Sequence, residues 1–191
     1  MVGNLRNYTK IDVLRCLLCI GRPVSRAELS RILDLGEGTV RSVLDALKEN
    51  GFLESDKKGH YLSSKGNNTI NKIKGNIVIK KIDLKGIFPK QKKVAVQLKH
   101  SKNIERAYIL RDIAVKNGAE GAIILRYNDR LEIYDAEYEE DFSEIENMFN
   151  LGKSDLIIIA YADSYRLAEH GALAVAVKLN NDLRLLMNKF K

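Results

Sequence analysis

Gly38, Thr39, Arg41 and Ser42 are residue types suited to reading nucleic acid, and they fall within five positions. Arginine can pair with both acceptors on a guanine edge, and serine or threonine can donate to or accept from bases. Glycine has no side chain, so phosphate can approach the backbone, and the free amides of a helix start attract that anion. Lys57, Lys58 and His60 surround Gly59, where a short basic loop would meet a minor groove or a phosphate backbone. An ordinary solvated helix face and a solvated loop are the competing explanation of the same residues.

Other chemistry is sparse. Cys16 and Cys19 have CxxC spacing, but a metal site needs two more ligands and the nearest histidine is His60. A thioredoxin-type pair would follow a strand, and none precedes these cysteines. On a helical wheel both thiols lie with Asp12 and Arg15, away from Ile11, Leu14 and Leu18. They would therefore touch another surface, or else serve as small buried hydrophobes. Asp163 and Ser164 begin a helix just past a strand, a position favoured for ligands in α/β folds, or else simply cap that helix. Arg111, Asp112 and Lys116 share one helix, and Asp112 and Lys116 have the spacing of an i,i+4 ion pair. There is no P-loop, no GxGxxG after a strand, no HExxH and no GxSxG. No catalytic residue, metal or cofactor is expected.

The elements that would hold these residues follow from periodicity. Residues 10–20 (KIDVLRCLLCI) form a helix that stops at Gly21. Ser25 begins a second helix, and Glu28 three residues on completes a capping box. Asp34-Leu35-Gly36 is a tight turn, and a third helix runs from Glu37 to Glu49. At roughly 100° per residue, Val40, Val43, Leu44 and Leu47 share one face and must be core. Gly38, Arg41, Ser42, Asp45 and Glu49 take the other face. Phe52–Glu54 and His60–Leu62 read as two short strands joined by a turn with Lys57, Lys58 and His60 at its tip. A short helix to about Ile73 follows Ser64-Lys65-Gly66.

Lys74-Gly75-Asn76 marks a boundary between residues 1–75 and residues 76–191. The second part reads as strands 77–82 and 94–99, and a helix from Ile104 capped by Asn103. A hairpin around Asn128-Asp129-Arg130 comes next, then a helix over Phe142–Phe149, a strand over Leu156–Tyr161 and a helix from Ser164 to Leu179. The small residues Ala168, Gly171, Ala172 and Val175 of that last helix would pack on the sheet. The order β-β-α-β-β-α-β-α is that of an α+β or α/β sandwich.

Charge divides the chain. Residues 1–75 hold 13 Lys+Arg against 8 Asp+Glu, residues 76–110 hold 9 against 2, and residues 111–191 hold 10 against 15. The front could meet a polyanion and the rear could not by charge alone. A genome that favours lysine would produce the same balance. Eight acids between Glu132 and Glu146 would form a solvated face, repel DNA or bind a basic partner. No segment approaches the roughly 20 apolar residues of a membrane span. The N-terminus has no apolar signal stretch, and two cysteines fit a reducing compartment. A cytoplasmic protein with no membrane partner is expected.

Residues 8–73 resemble the winged helix-turn-helix superfamily of prokaryotic regulators. The resemblance rests on Leu35–Arg41, Leu47–Phe52 and Tyr61–Gly66. As a whole the chain resembles an archaeal family of two-domain proteins of unassigned function, with an N-terminal winged helix. The second domain of that family is grouped with the small insertion domain of bacterial-type aspartyl-tRNA synthetases. The carrying residues are Ala114–Ala122, Asp155–Ile159 and His170–Ala174. The resemblance implies an α+β protein with a winged helix-turn-helix over 1–75, and it supplies no catalytic residue. The leading expectation is a transcriptional regulator that binds double-stranded DNA. Its second domain would bind a small-molecule effector, form a homodimer, or both. The alternatives are an enzyme with an appended winged helix, or an adaptor whose basic stretch 80–102 touches RNA.

Overall fold

The computed structural model describes residues 7–84, 86–101, 104–136 and 140–190. The chain divides into two compact units: residues up to Ile73 together with Leu185–Lys191, and Lys74–Arg184. The C-terminal seven residues thus belong to the first unit, whereas sequence composition had placed them with the second.

The first unit opens with α1 (Lys10–Cys19), started by a full capping box between Thr9 and Asp12. Next come α2 (Arg26–Leu33) and α3 (Glu37–Glu49). The hairpin strands β1 (Leu53–Asp56) and β2 (Gly59–Leu62) follow, and then α4 (Ser64–Asn76). Ser25 caps α2 by accepting from the Glu28 amide, 3.1 Å. Only half of the expected capping box forms, because the Glu28 carboxylate turns to the Arg22 guanidinium. The turn into α3 depends on Asp34, which ends α2 in the left-handed region, while Gly36 is extended and precedes α3. The Ser30 hydroxyl donates to the Leu35 carbonyl and ties this turn down.

The core of the unit joins Leu14, Leu17, Leu29, Val40, Val43, Leu47 and Phe52. The Phe190 ring packs at 5.5 Å from Phe52, so the tail helps fill this core. The face of α1 that carries both thiols is largely interior, and for Cys16 the buried alternative holds. Asp12 is 0% exposed, Arg15 2% and Cys16 0%, and only Cys19 reaches solvent. Arg15 bonds Asp12 at 3.4 Å and donates to the Leu33 carbonyl at 3.0 Å. A buried ion pair therefore lets a charged face of α1 pack inward against the end of α2.

The hairpin turns on Lys57 and Lys58 alone, since Asp56 already pairs with Gly59. Gly59 has φ +126°, and a Cβ there would come within 2.6 Å of the Val24 carbonyl. That close approach lets Val24 bridge His60 as a third short strand, through bonds of 2.8 and 3.0 Å. Three helices followed by this hairpin make a winged helix-turn-helix.

The second unit is an antiparallel sheet with helices, an α+β architecture. Its elements are β3 (Ile77–Ile82), β4 (Lys92–Leu98), α5 (Ala107–Lys116), β5 (Gly121–Tyr127) and β6 (Leu131–Ile133). The short α6 (Ser143–Glu146), β7 (Leu156–Ala162) and α7 (Tyr165–Leu179) complete it, and α8 (Asn181–Met187), which was not expected, spans the division after Arg184. The strand order is β3-β4-β7-β5-β6, and every pair is antiparallel. Central β7 is almost wholly buried, as its run of isoleucines requires. Helix α7 packs on β4 and β7, and α5 packs on β5 and α7. Gly171 brings those two helices together, because a Cβ there would lie 3.1 Å from the Ala114 carbonyl oxygen of α5 and 2.6 Å from the Ala119 Cβ just beyond it. The opposite face holds Ala95, Leu125, Ile157 and Ile159 against Phe142, Ile145 and Phe149. Asn103, expected to cap α5, lies outside the described residues, as do Glu137 and Glu139 of the acidic run. Asp112 and Lys116 form no ion pair.

Candidate nucleic-acid interface

Helix α3 sorts its residues as amphipathic periodicity demands. Val40, Val43, Leu44 and Leu47 are buried, while Gly38, Arg41, Asp45 and Glu49 are exposed. No described side chain caps the start of α3, so its first amides are not satisfied by a cap bond. Nothing lies within 4 Å of a Cβ placed on Gly38, which keeps the backbone there open. Two of the expected contacts are partly engaged within the chain. The Ser42 hydroxyl donates back to the Gly38 carbonyl at 3.3 Å, and Thr39 Oγ1 accepts from Asn7 at 3.0 Å. Arg41 extends from the exposed face one turn into the helix.

Lys57 and Lys58 occupy the hairpin tip and are exposed, as expected. His60 is not at the tip. It sits on β2 with Ser55 Oγ 2.7 Å from its Nδ1, and its backbone is held by Val24. Its imidazole faces a groove of about 430 Å³ between α2, α3 and the hairpin. Arg26, Arg41 and Lys48 line that groove, with Asp45 and Glu37 as its acids. Glu37 is tied to Arg26 at 3.1 Å, a pair exposed on both sides. Partial burial, then the charges of Lys48 and Arg26, hold His60 below its ordinary value, with Asp45 opposing. A cation-lined groove beside an uncapped helix start has the electrostatics of an anion site.

Arg26 and Lys48 were missed by sequence reasoning. Lys48 is seven residues after Arg41, two helical turns along the same face, so the spacing alone could have found it. Arg26 could not be found that way, because it reaches the groove from another helix.

In the second unit, Ser164 caps α7 by accepting from the Leu167 amide at 3.2 Å. Since β7 runs antiparallel to both neighbours, the crevice at strand carboxyl ends that marks parallel doubly wound sheets is absent here. Asp163 and Ser164 do not line the cavity of about 650 Å³ that opens elsewhere on the sheet.

Comparison with known proteins agrees with this division. Residues 9–68 match the family model described as "PH0730-like, N-terminal domain", and residues 89–179 match "Domain of unknown function (DUF4443)". The chain is similar to the hypothetical protein PH0730 from Pyrococcus horikoshii OT3. They share 26% identity and a TM-score of 0.78 over 94% of this chain and 100% of that one. No curated protein matches the chain. The similarity spans both units and points to an archaeal two-domain architecture. Among the described residues no group of His, Cys, Asp and Glu is placed to hold a metal ion, and no helix is long and apolar enough to cross a membrane.

Proposed function

We propose that the first unit binds duplex DNA, with α3 entering the major groove and the β1–β2 hairpin lying on the phosphate backbone. The observation that carries this reading is the groove lined by Arg26, Arg41, Lys48 and His60 beside the uncapped start of α3. In a helix-turn-helix, the first turns of the second helix of the motif reach base edges. Arg41 is the side chain free to do so, and Lys57 and Lys58 supply charge without sequence information. Ser42 and Thr39 would exchange their internal bonds for DNA contacts at little cost. The second unit would serve self-association or effector binding, and sedimentation of the full chain reports the first of these.

An RNA-binding role for the basic stretch 80–102 has less support. Lys93 is buried and donates to the Gln91 carbonyl at 3.0 Å. Lys80 donates to the Met148 carbonyl, and the Lys81 ammonium lies 4.8 Å from the centre of the Tyr165 ring. These lysines are used inside their own unit.

The test compares Arg41→Ala with Lys57→Ala in the full chain on a selected duplex and on unrelated duplexes. A lost bidentate base contact costs about 1–3 kcal/mol on the selected site alone. Lys57→Ala should weaken all duplexes alike. Equal losses on every sequence for both variants would remove Arg41 as a base reader.

A further inference from the structure

We propose that the second unit binds a planar small molecule bearing a carboxylate, in a cavity at the edge of its sheet between α5 and the β3–β4 connection. The cavity has a volume of about 650 Å³, within the range of small-molecule sites. It exists because β5 outruns β6. Strand β6 pairs only with Leu125–Tyr127, and the Tyr134 amide extends the pairing to the Ile124 carbonyl at 2.8 Å. Gly121–Ile123 have no described strand on that side. Helix α5 walls this open edge on one side, and the turn through Phe88 walls the other.

The lining selects the ligand. Flat surfaces come from Tyr134, Phe88 and Tyr161, and apolar ones from Ile87, Ile123 and Ile133. Phe88 stacks on Tyr161 with centroids 3.9 Å apart and planes 20° from parallel. Gly121 pairs with Tyr161 across the strands, and a side chain there would overlap the phenol. Phe88 holds φ +48°, a conformation rare for a bulky side chain, and such strain gathers at ligand clamps.

One lysine or arginine lines this cavity, the exposed Arg111. Arg111 lines the cavity and has no ion pair among the described residues. The nearby Asp135 is already neutralised by Arg106 at 3.1 Å and also accepts from the Ala107 amide at 3.4 Å. Glu140, the other lining acid, is exposed. Burial raises the Tyr161 phenol, against the pull of the Arg111 charge, so it stays a protonated donor at neutral pH. A planar acid would stack against the rings, while Arg111 and the Tyr161 hydroxyl donate to its carboxylate. A peptide added as a strand fits less well, because the open edge is only Gly121–Ile123 and strand addition draws its affinity from a longer run of main-chain bonds.

This proposal does not rest on DNA binding, and either can fail alone. The test is saturation-transfer NMR on the full chain. The probes are 4-hydroxybenzoate and indole-3-carboxylate, each against its neutral carboxamide. The acids should bind roughly tenfold more tightly than the amides, the worth of one charge-assisted bond. Arg111→Gln should erase that preference, and Ile123→Trp should fill the cavity and abolish both signals. Failure of both acids to bind overturns the proposal. So does an unchanged preference in Arg111→Gln, or unchanged acid binding in an Ile123→Trp protein that circular dichroism finds folded. If Ile123→Trp does not fold, Arg111→Gln, at an exposed position, decides alone.

Discussion

Replacing Arg15 with methionine should destabilise the first unit by about 3 kcal/mol. Arg15 is 2% exposed and Asp12 is 0% exposed, so their pair is screened from water and salt. An exposed pair at this spacing would be worth only about 0–1 kcal/mol. Removing one partner of a buried pair costs about 3–5 kcal/mol, because the remaining charge stays out of water. The low end applies here for two reasons. The Asp12–Arg15 distance is a long 3.4 Å, and Asp12 also accepts from Thr9 N and Thr9 Oγ1, each at 3.0 Å. The Leu33 carbonyl loses its 3.0 Å bond to Arg15 as well, and that loss is included in the figure. Methionine keeps most of the buried apolar stem, so little of the cost comes from a cavity. Denaturant-dependent hydrogen exchange of the α1–α3 amides reads this unit separately from the second. The double variant Asp12→Asn/Arg15→Met should regain more than half of the loss, because it also removes the buried carboxylate charge that Arg15 balances in the parent. If Arg15→Met stays within about 1 kcal/mol of the parent, the pair behaves as a surface pair and the argument fails.

Gly171→Ala should cost about 1–2 kcal/mol in the second unit, since a Cβ 2.6 Å from that of Ala119 outweighs the gain in helix propensity, and thermal unfolding reads it. Gly75→Ala, with nothing within 4 Å of its added methyl, should instead stabilise by about 0.5–1 kcal/mol. The third expectation concerns pH. Burial, and secondarily Cys19, raise the Cys16 thiol well above 9.0, with Arg15 opposing. A raised folded value contributes stability below the unfolded thiol's value, near pH 8.5–9, that is lost as pH rises beyond it. Unfolding free energy should therefore fall from about pH 9 upward, and in Cys16→Ala that slope should be shallower.

The two-unit plan and most elements were readable from periodicity, because strong signals punctuate them. Ser25, Ser164 and Gly51 stand where helices begin or end, and the isoleucine run of β7 admits only a central strand. The misplaced residues share a physical cause, which is that their surroundings come from distant chain. A wheel of α1 alone puts Asp12, Arg15 and Cys16 on a polar face. Only the return of α2 to Arg15, through Leu33, makes that face interior. His60 looked like a tip residue because hairpin loops are polar, but Val24 draws it back onto a strand. Phe190 and its neighbours join the first unit from across the sequence, which no local pattern encodes. The second unit's cavity is assembled from α5, three strands and two loops, and it depends on β6 being shorter than β5. Relative strand length of that kind is a tertiary fact.

The most direct test of the central claim is a fluorescence-anisotropy titration of the full chain onto a labelled random-sequence duplex across a range of salt. Counterion release makes the logarithm of affinity fall linearly with the logarithm of salt, at about 0.9 per neutralised phosphate. With Arg26, Arg41 and Lys48 lining the groove and Lys57 and Lys58 exposed at the hairpin tip, the slope should exceed about 3, and Lys57→Ala/Lys58→Ala should lower it by about 1 to 2. Absence of binding at low salt, or an affinity that does not change with salt, would contradict the assignment of this unit to DNA.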